Sequence, residues 1–207
     1  MEKQKFKEKV VLITGAGKGA GRRLTTAFAE LGASVAANDI SPINVEELVQ
    51  EINAGGGNAR AYIDDVAKKV GVQALVKQVE DDFGRINILV NHAAVEPRSA
   101  LLDMDEWDWH RTLDVNLTGA FLVTQSVGRM MRAQGGGVIV NLIAADAGVT
   151  EAGRDESPLR AAFLASMAGL EAFSQQAARE LAPYGVRVHA VISNTDVESI
   201  LELCKEM

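Results

Sequence analysis

Val11-Leu-Ile-Thr-Gly15-Ala-Gly-Lys-Gly19-Ala-Gly21 sets a glycine-rich turn directly behind an apolar run and ahead of a stretch with helical periodicity. In such a turn the first glycine permits the tight reversal, the second lets backbone approach a pyrophosphate, and the third lets the helix pack close to a sheet. The helix that opens there offers its positive end to a phosphate. Gly15, Lys18, Gly19, Ala20 and Gly21 are therefore the candidate residues around a bound pyrophosphate.

Outward from this turn, short apolar runs rich in β-branched residues recur at Val10–Ile13, Ser34–Ala37, Ala59–Ile63, Ile88–Val90, Val138–Leu142 and Val186–Ile192. A helical pattern separates each from the next. Strands apolar on both faces and joined by helical crossovers predict a parallel sheet covered on both sides, a doubly wound α/β fold with strands ordered 3-2-1-4-5-6. Gly32, Gly55–Gly57, Gly84, Gly135–Gly137 and the pair Pro183 and Gly185 mark helix ends. With 207 residues, 47% of them hydrophobic, the chain supports one domain with a large core, residues 1–207, and not two full ones.

Twenty-one Lys and Arg against 28 Asp and Glu give a net charge of -7. The basic residues are scattered beyond the first nine positions, which argues against a nucleic-acid partner. No apolar run approaches the roughly 18 residues of a membrane span. The single Cys204 excludes an internal disulfide, and the start, with Lys3, Lys5, Lys7 and Lys9, reads as a solvated, frayed terminus of a cytoplasmic protein.

Asp39 follows the second strand, where a carboxylate can accept both hydroxyls of an adenosine ribose and repel a 2'-phosphate. Its other reading is a cap for the helix beginning near Pro42. Lys18, Arg22 and Arg23 soften the repulsion, so the expected cofactor is NAD, with NADP the lesser choice. Asp65 and Val66, after the third strand, either border an adenine or form a turn.

Taken together, Thr14-Gly-Ala-Gly-Lys-Gly-Ala-Gly21, Asn91-His-Ala-Ala94, Val115-Asn116 and Gly137-Val-Ile-Val-Asn141 resemble, in order and spacing, the motifs of the short-chain dehydrogenase/reductase family. The likeness runs from Lys9 to about Val191. It implies a cofactor contact at Asn91 and a catalytic set of serine, tyrosine, lysine and asparagine. Only Asn116 matches that set. Ile143 and Ala144 fall on the serine positions, Phe163 on the tyrosine and Met167 on the lysine. A phenyl ring cannot exchange a proton and a thioether carries neither charge nor donor.

Tyr62 and Tyr184 are too far along the sheet to replace the tyrosine, and no lysine lies between Lys77 and Lys205 to replace the cation. His92, Asp146 and Asp155 are the remaining acids near the site. Ser193-Asn-Thr-Asp196 stands where the family places Pro-Gly, and the chain ends at Met207 before the family's substrate-covering helices. These departures imply a non-catalytic, nucleotide-binding regulatory or structural subunit. The alternative is an NAD(P)-dependent oxidoreductase of alcohols or carbonyls using other residues. The helices expected over Asp105–Arg132 and Ser157–Leu181 resemble the family's paired interface helices, and Phe163, Met167, Leu170, Phe173 and Ala177 form an apolar stripe on the second. The expected assembly is a homodimer, or a mixed oligomer with a complete homologue. Trp107 and Trp109, two apart, belong to different faces of the first.

Overall fold

The computed structural model describes residues 4–143, 159–192 and 196–205. Six parallel strands, β1 (Val10–Thr14), β2 (Ser34–Asn38), β3 (Asn58–Tyr62), β4 (Ile88–Asn91), β5 (Gly137–Ile143) and β6 (Val186–Ile192), form one sheet in the order β3-β2-β1-β4-β5-β6. The doubly wound single-domain fold thus follows the hydrophobic pattern, with strand ends within a residue of the expected ones.

Helices α1 (Gly19–Glu30), α2 (Pro42–Ala54) and α7 (Val197–Leu203) pack on one face, and α3 (Lys69–Phe83), α5 (Ala120–Gln134) and α6 (Ala161–Leu181) on the other. Alternation within β1 feeds both layers: Val11 and Ile13 enter the first core, Val10 and Leu12 the second. Between α4 (Glu106–Leu113) and α5 the chain opens into a π-helical turn, Asp114–Gly119, so the single long helix expected over Asp105–Arg132 is three consecutive pieces. Trp107 is exposed and Trp109 half-buried, as their spacing requires.

The start of the chain differs from the frayed terminus expected of it. Phe6 is 1% exposed and meets Phe28 edge-on at 4.9 Å, and its amide donates to the Leu31 carbonyl. Burying such a ring contributes about 1.5–3 kcal/mol, enough to hold a lysine-rich segment against the first core.

β1 pairs with β2 on one side and β4 on the other, through Val11↔Val35 and Val11↔Ile88. The winding reverses between β1 and β4. Their carboxyl ends therefore diverge into the crevice where open α/β sheets bind ligands.

Candidate functional site

The glycine turn is built from β1 outward. Ala16 N–H donates to the Asn38 carbonyl at 2.8 Å, tying the turn to β2, and Gly15 and Gly19 hold φ of 65° and 56°. A Cβ on Gly21 would land on the Gly15 carbonyl oxygen, and one on Gly19 would stand in the crevice with only the His92 ring within 4 Å. Lys18, the N-cap of α1, makes no side-chain cap bond. The first N–H groups of α1 are thus open to an anion, as a pyrophosphate cradle requires. Ala20 leans back on the first core.

Beyond this turn lies a chamber of about 260 Å³ bordered by Gly15, Lys18, Asp39, Asp65, Val66 and Arg111. Asp39 stands at the wall of this chamber, held by two backbone donors. Oδ2 accepts from Gly17 N–H at 2.9 Å and Oδ1 from Ser41 N–H at 2.9 Å, just ahead of α2. Each oxygen keeps a lone pair for a hydroxyl. Asp65 is more committed: Oδ1 accepts from Ala67 N–H at 3.0 Å, while Oδ2 pairs with Arg111 at 3.4 Å. Arg111 therefore joins this wall.

A second chamber of about 210 Å³ continues past β4, bordered by His92, Glu96, Ile143, Phe163 and Met167. His92 borders both chambers. Its backbone N–H, and that of Ala93, donate to Thr14 Oγ1 at 3.2 Å, and its Nδ1 lies 2.9 Å from the Gly15 carbonyl oxygen. Burial pushes the imidazole below its ordinary pKa, against smaller upward pulls from the Gly15 bond and Asp39.

Two asparagines expected at the ligand make their hydrogen bonds inside the fold, with Asn91 Oδ1 left buried and unpartnered among the described residues. Asn91, 4% exposed, donates to Thr124 Oγ1 at 3.0 Å and Asn141 Oδ1 at 2.8 Å. Asn116, 1% exposed, accepts from Val95 N–H at 2.8 Å and donates to the Val95 carbonyl and Ser166 Oγ, both at 3.0 Å. Ser166 in turn donates to the Phe163 carbonyl at 2.7 Å. The π-helical turn thus clamps the segment after β4 to the start of α6.

Sequence reasoning also missed a cation. Arg160, 8% exposed, donates from Nε to Glu96 Oε1 at 2.6 Å, and its guanidinium stacks 4.8 Å over the Phe163 ring. This arginine lies one helical turn ahead of Phe163. Tyr62 donates its hydroxyl to Asp82 at 2.6 Å, and Tyr184 is half-exposed against Arg132, so neither enters the crevice. Ala144, Asp146, Asp155 and the stretch 193–195 lie outside the described residues.

A glycine turn after β1, a carboxylate after β2 and a second chamber beside β4 and β5 meet at the carboxyl ends of the strands, and the short chain dehydrogenase family profile matches residues 9–197. The chain belongs to this family. A similar protein is an uncharacterized oxidoreductase of Thermotoga maritima, 40% identical over 190 residues, which cover 92% of this chain and 72% of that one. Among solved structures, NAD+-bound xylitol dehydrogenase superposes with a TM-score of 0.83 at 36% identity, covering 90% of this chain and 70% of that one. A metagenomic short-chain oxidoreductase in complex with NADP gives 0.89 at 25% identity, covering 99% and 93%.

These likenesses overturn the expectation of a non-catalytic subunit. Short-chain dehydrogenase relatives this similar, over nearly the whole chain, carry oxidoreductase and dehydrogenase names. The side chains expected at the serine, tyrosine and lysine positions misled that reading, because it equated one set of side chains with the activity. Among the described residues no helix is long and apolar enough to cross a membrane, and no cluster of metal-binding side chains occurs.

Proposed function

We propose that the protein is an NAD(P)-dependent oxidoreductase of alcohol or carbonyl groups, a divergent member of its family that works without the family's serine, tyrosine and lysine. The observation that carries this reading is that His92 borders both chambers, which sets a nucleotide cradle beside a pocket lined by Phe163, Met167 and Ile143. Gly15, Lys18, Gly19, Asp39 and Val66 hold the adenosine and pyrophosphate half. The nicotinamide of that cofactor would supply the two-electron acceptor or donor.

The chain's own part is to seat the substrate against Ile143, Phe163 and Met167 and to move a proton. Glu96 is the proton acceptor in this reading. In the oxidative direction the substrate hydroxyl gives its proton to the Glu96 carboxylate as the carbonyl forms and the carbon-bound hydrogen leaves with its electron pair. Arg160 fixes that carboxylate at the chamber wall. Asp39 favours NAD over NADP through charge, with Lys18 and Arg23 keeping the preference modest.

The same reading places the protein in the cytoplasm as a homodimer, or as a mixed oligomer with a complete homologue. The groove between α5 and α6, about 320 Å³ and bordered by Phe121, Arg132, Phe173 and Tyr184, supports that assembly. Hydride transfer to NAD and NADP over a panel of polyols, secondary alcohols and oxoacyl thioesters is the test. The expected result is turnover above control with at least one class. Tight NAD binding without turnover on any of them would remove the enzymatic reading.

A further inference from the structure

The imidazole of His92 occupies the switch point of the sheet, directly under the glycine turn. Its Nδ1 faces the Gly15 carbonyl oxygen at 2.9 Å, and a carbonyl only accepts, so Nδ1 carries the hydrogen in the neutral ring. Nε2 is then a bare lone pair. It lies on the side of Gly19, about 3.9 Å from where a Cβ of that residue would stand, and makes no hydrogen bond among the described residues.

Gly19 opens α1, whose first N–H groups carry no side-chain cap. A pyrophosphate there carries only acceptor oxygens. Acceptor facing acceptor is repulsive, whereas a protonated Nε2 would donate a charge-assisted hydrogen bond. We propose that His92 is a pyrophosphate-recognising residue that takes up a proton from solvent as the dinucleotide binds, so that cofactor affinity is linked to pH.

The surrounding charges set the range. Asp39 at the end of β2 pulls the ring toward the charged form and Arg23 of α1 pushes it away. Lys18 from the turn shares the first chamber, together with Asp64, Asp65 and Arg111. Glu96 shares the second, where α6 contributes only Phe163 and Met167 and β5 only Leu142 and Ile143. Burial keeps the ring neutral in the free protein at neutral pH. Two phosphate charges arriving beside it raise its pKa in the complex above that in the free protein.

The sign follows from linkage. Above the pKa of the complex, neither state holds the proton and affinity is flat. As pH falls between the two values, affinity rises by up to about tenfold per pH unit, and below the free-protein value it levels off.

This inference rests on the dinucleotide reading, and the test separates the two. Calorimetric titration of NAD and of ADP-ribose from pH 5 to 8, in buffers of different ionisation enthalpy, counts protons taken up. Wild type is expected to take up as much as one proton with either ligand. His92→Asn is expected to bind with nearly pH-independent affinity and no uptake. The ring nitrogen shifts of His92 during NAD titration into the wild type give the same information without a variant, and should move to the imidazolium range. Binding without uptake, or uptake that survives in His92→Asn, overturns the role of His92 and leaves the dinucleotide reading intact. No binding of either ligand to wild type overturns both.

Discussion

The two ends of the crevice are built from different materials. At the glycine-turn end, backbone does the work: a turn of glycines, an uncapped helix start, and Asp39 braced by the Gly17 and Ser41 amides. At the other end side chains decide, with Phe163, Met167 and Ile143 forming an apolar wall broken by Glu96 on its Arg160 support. The first end tolerates little change because glycine positions have no substitutes.

The largest expected effect tests the side-chain end. Glu96→Gln keeps the shape and still accepts from Arg160, yet removes the proton acceptor. Turnover should fall by about 10²- to 10⁴-fold, with NAD affinity by calorimetry unchanged. A loss of less than about tenfold would move the proton transfer to another group and weaken the contrast between the two ends.

Gly21→Ala tests the backbone end. Its new Cβ would meet the Gly15 carbonyl and the His92 ring, forcing the turn open at a cost of roughly 1–3 kcal/mol. NAD affinity should weaken by about ten- to hundredfold, with a fall in the melting temperature. Unchanged binding would mean that the cradle has room the structure does not show.

This division also explains what could be read from the chain. Strands and the glycine turn were legible because each is encoded locally, by runs of apolar residues and by backbone positions that only glycine fills. Asp39 was legible for the same reason, its place being fixed by the end of β2. The second chamber was not. Glu96 and Arg160 are 64 positions apart, and nothing local marks either as the other's partner. Asn91 and Asn116 were legible by position, whereas the buried partners of their amides, Asn141 and Val95, were not. Phe6 was hidden by the lysines around it.

Asn116→Ala separates support from chemistry at the side-chain end. It leaves the Val95 N–H and carbonyl and the Ser166 hydroxyl each short of a partner in a buried setting. Unfolding in urea should show a loss of about 1–3 kcal/mol, while ADP-ribose affinity stays near that of wild type. Unaltered stability with lost turnover would return Asn116 to a direct part in the reaction.

The smallest effect belongs to Asp39, where charge and brace can be told apart. A carboxylate about 4 Å from a phosphate in water-like surroundings costs about 1 kcal/mol per unit charge, and Lys18 and Arg23 on the same side offset part of that. Asp39→Asn removes the charge while one oxygen can still accept from Gly17 or Ser41. The ratio of NADP to NAD affinity, measured by calorimetry at fixed ionic strength, should rise by about tenfold or less. Asp39→Ala removes the brace as well, so it should weaken both cofactors while shifting the ratio by the same amount. An unchanged ratio in both variants would detach Asp39 from the ribose and leave it only the turn and the start of α2 to hold.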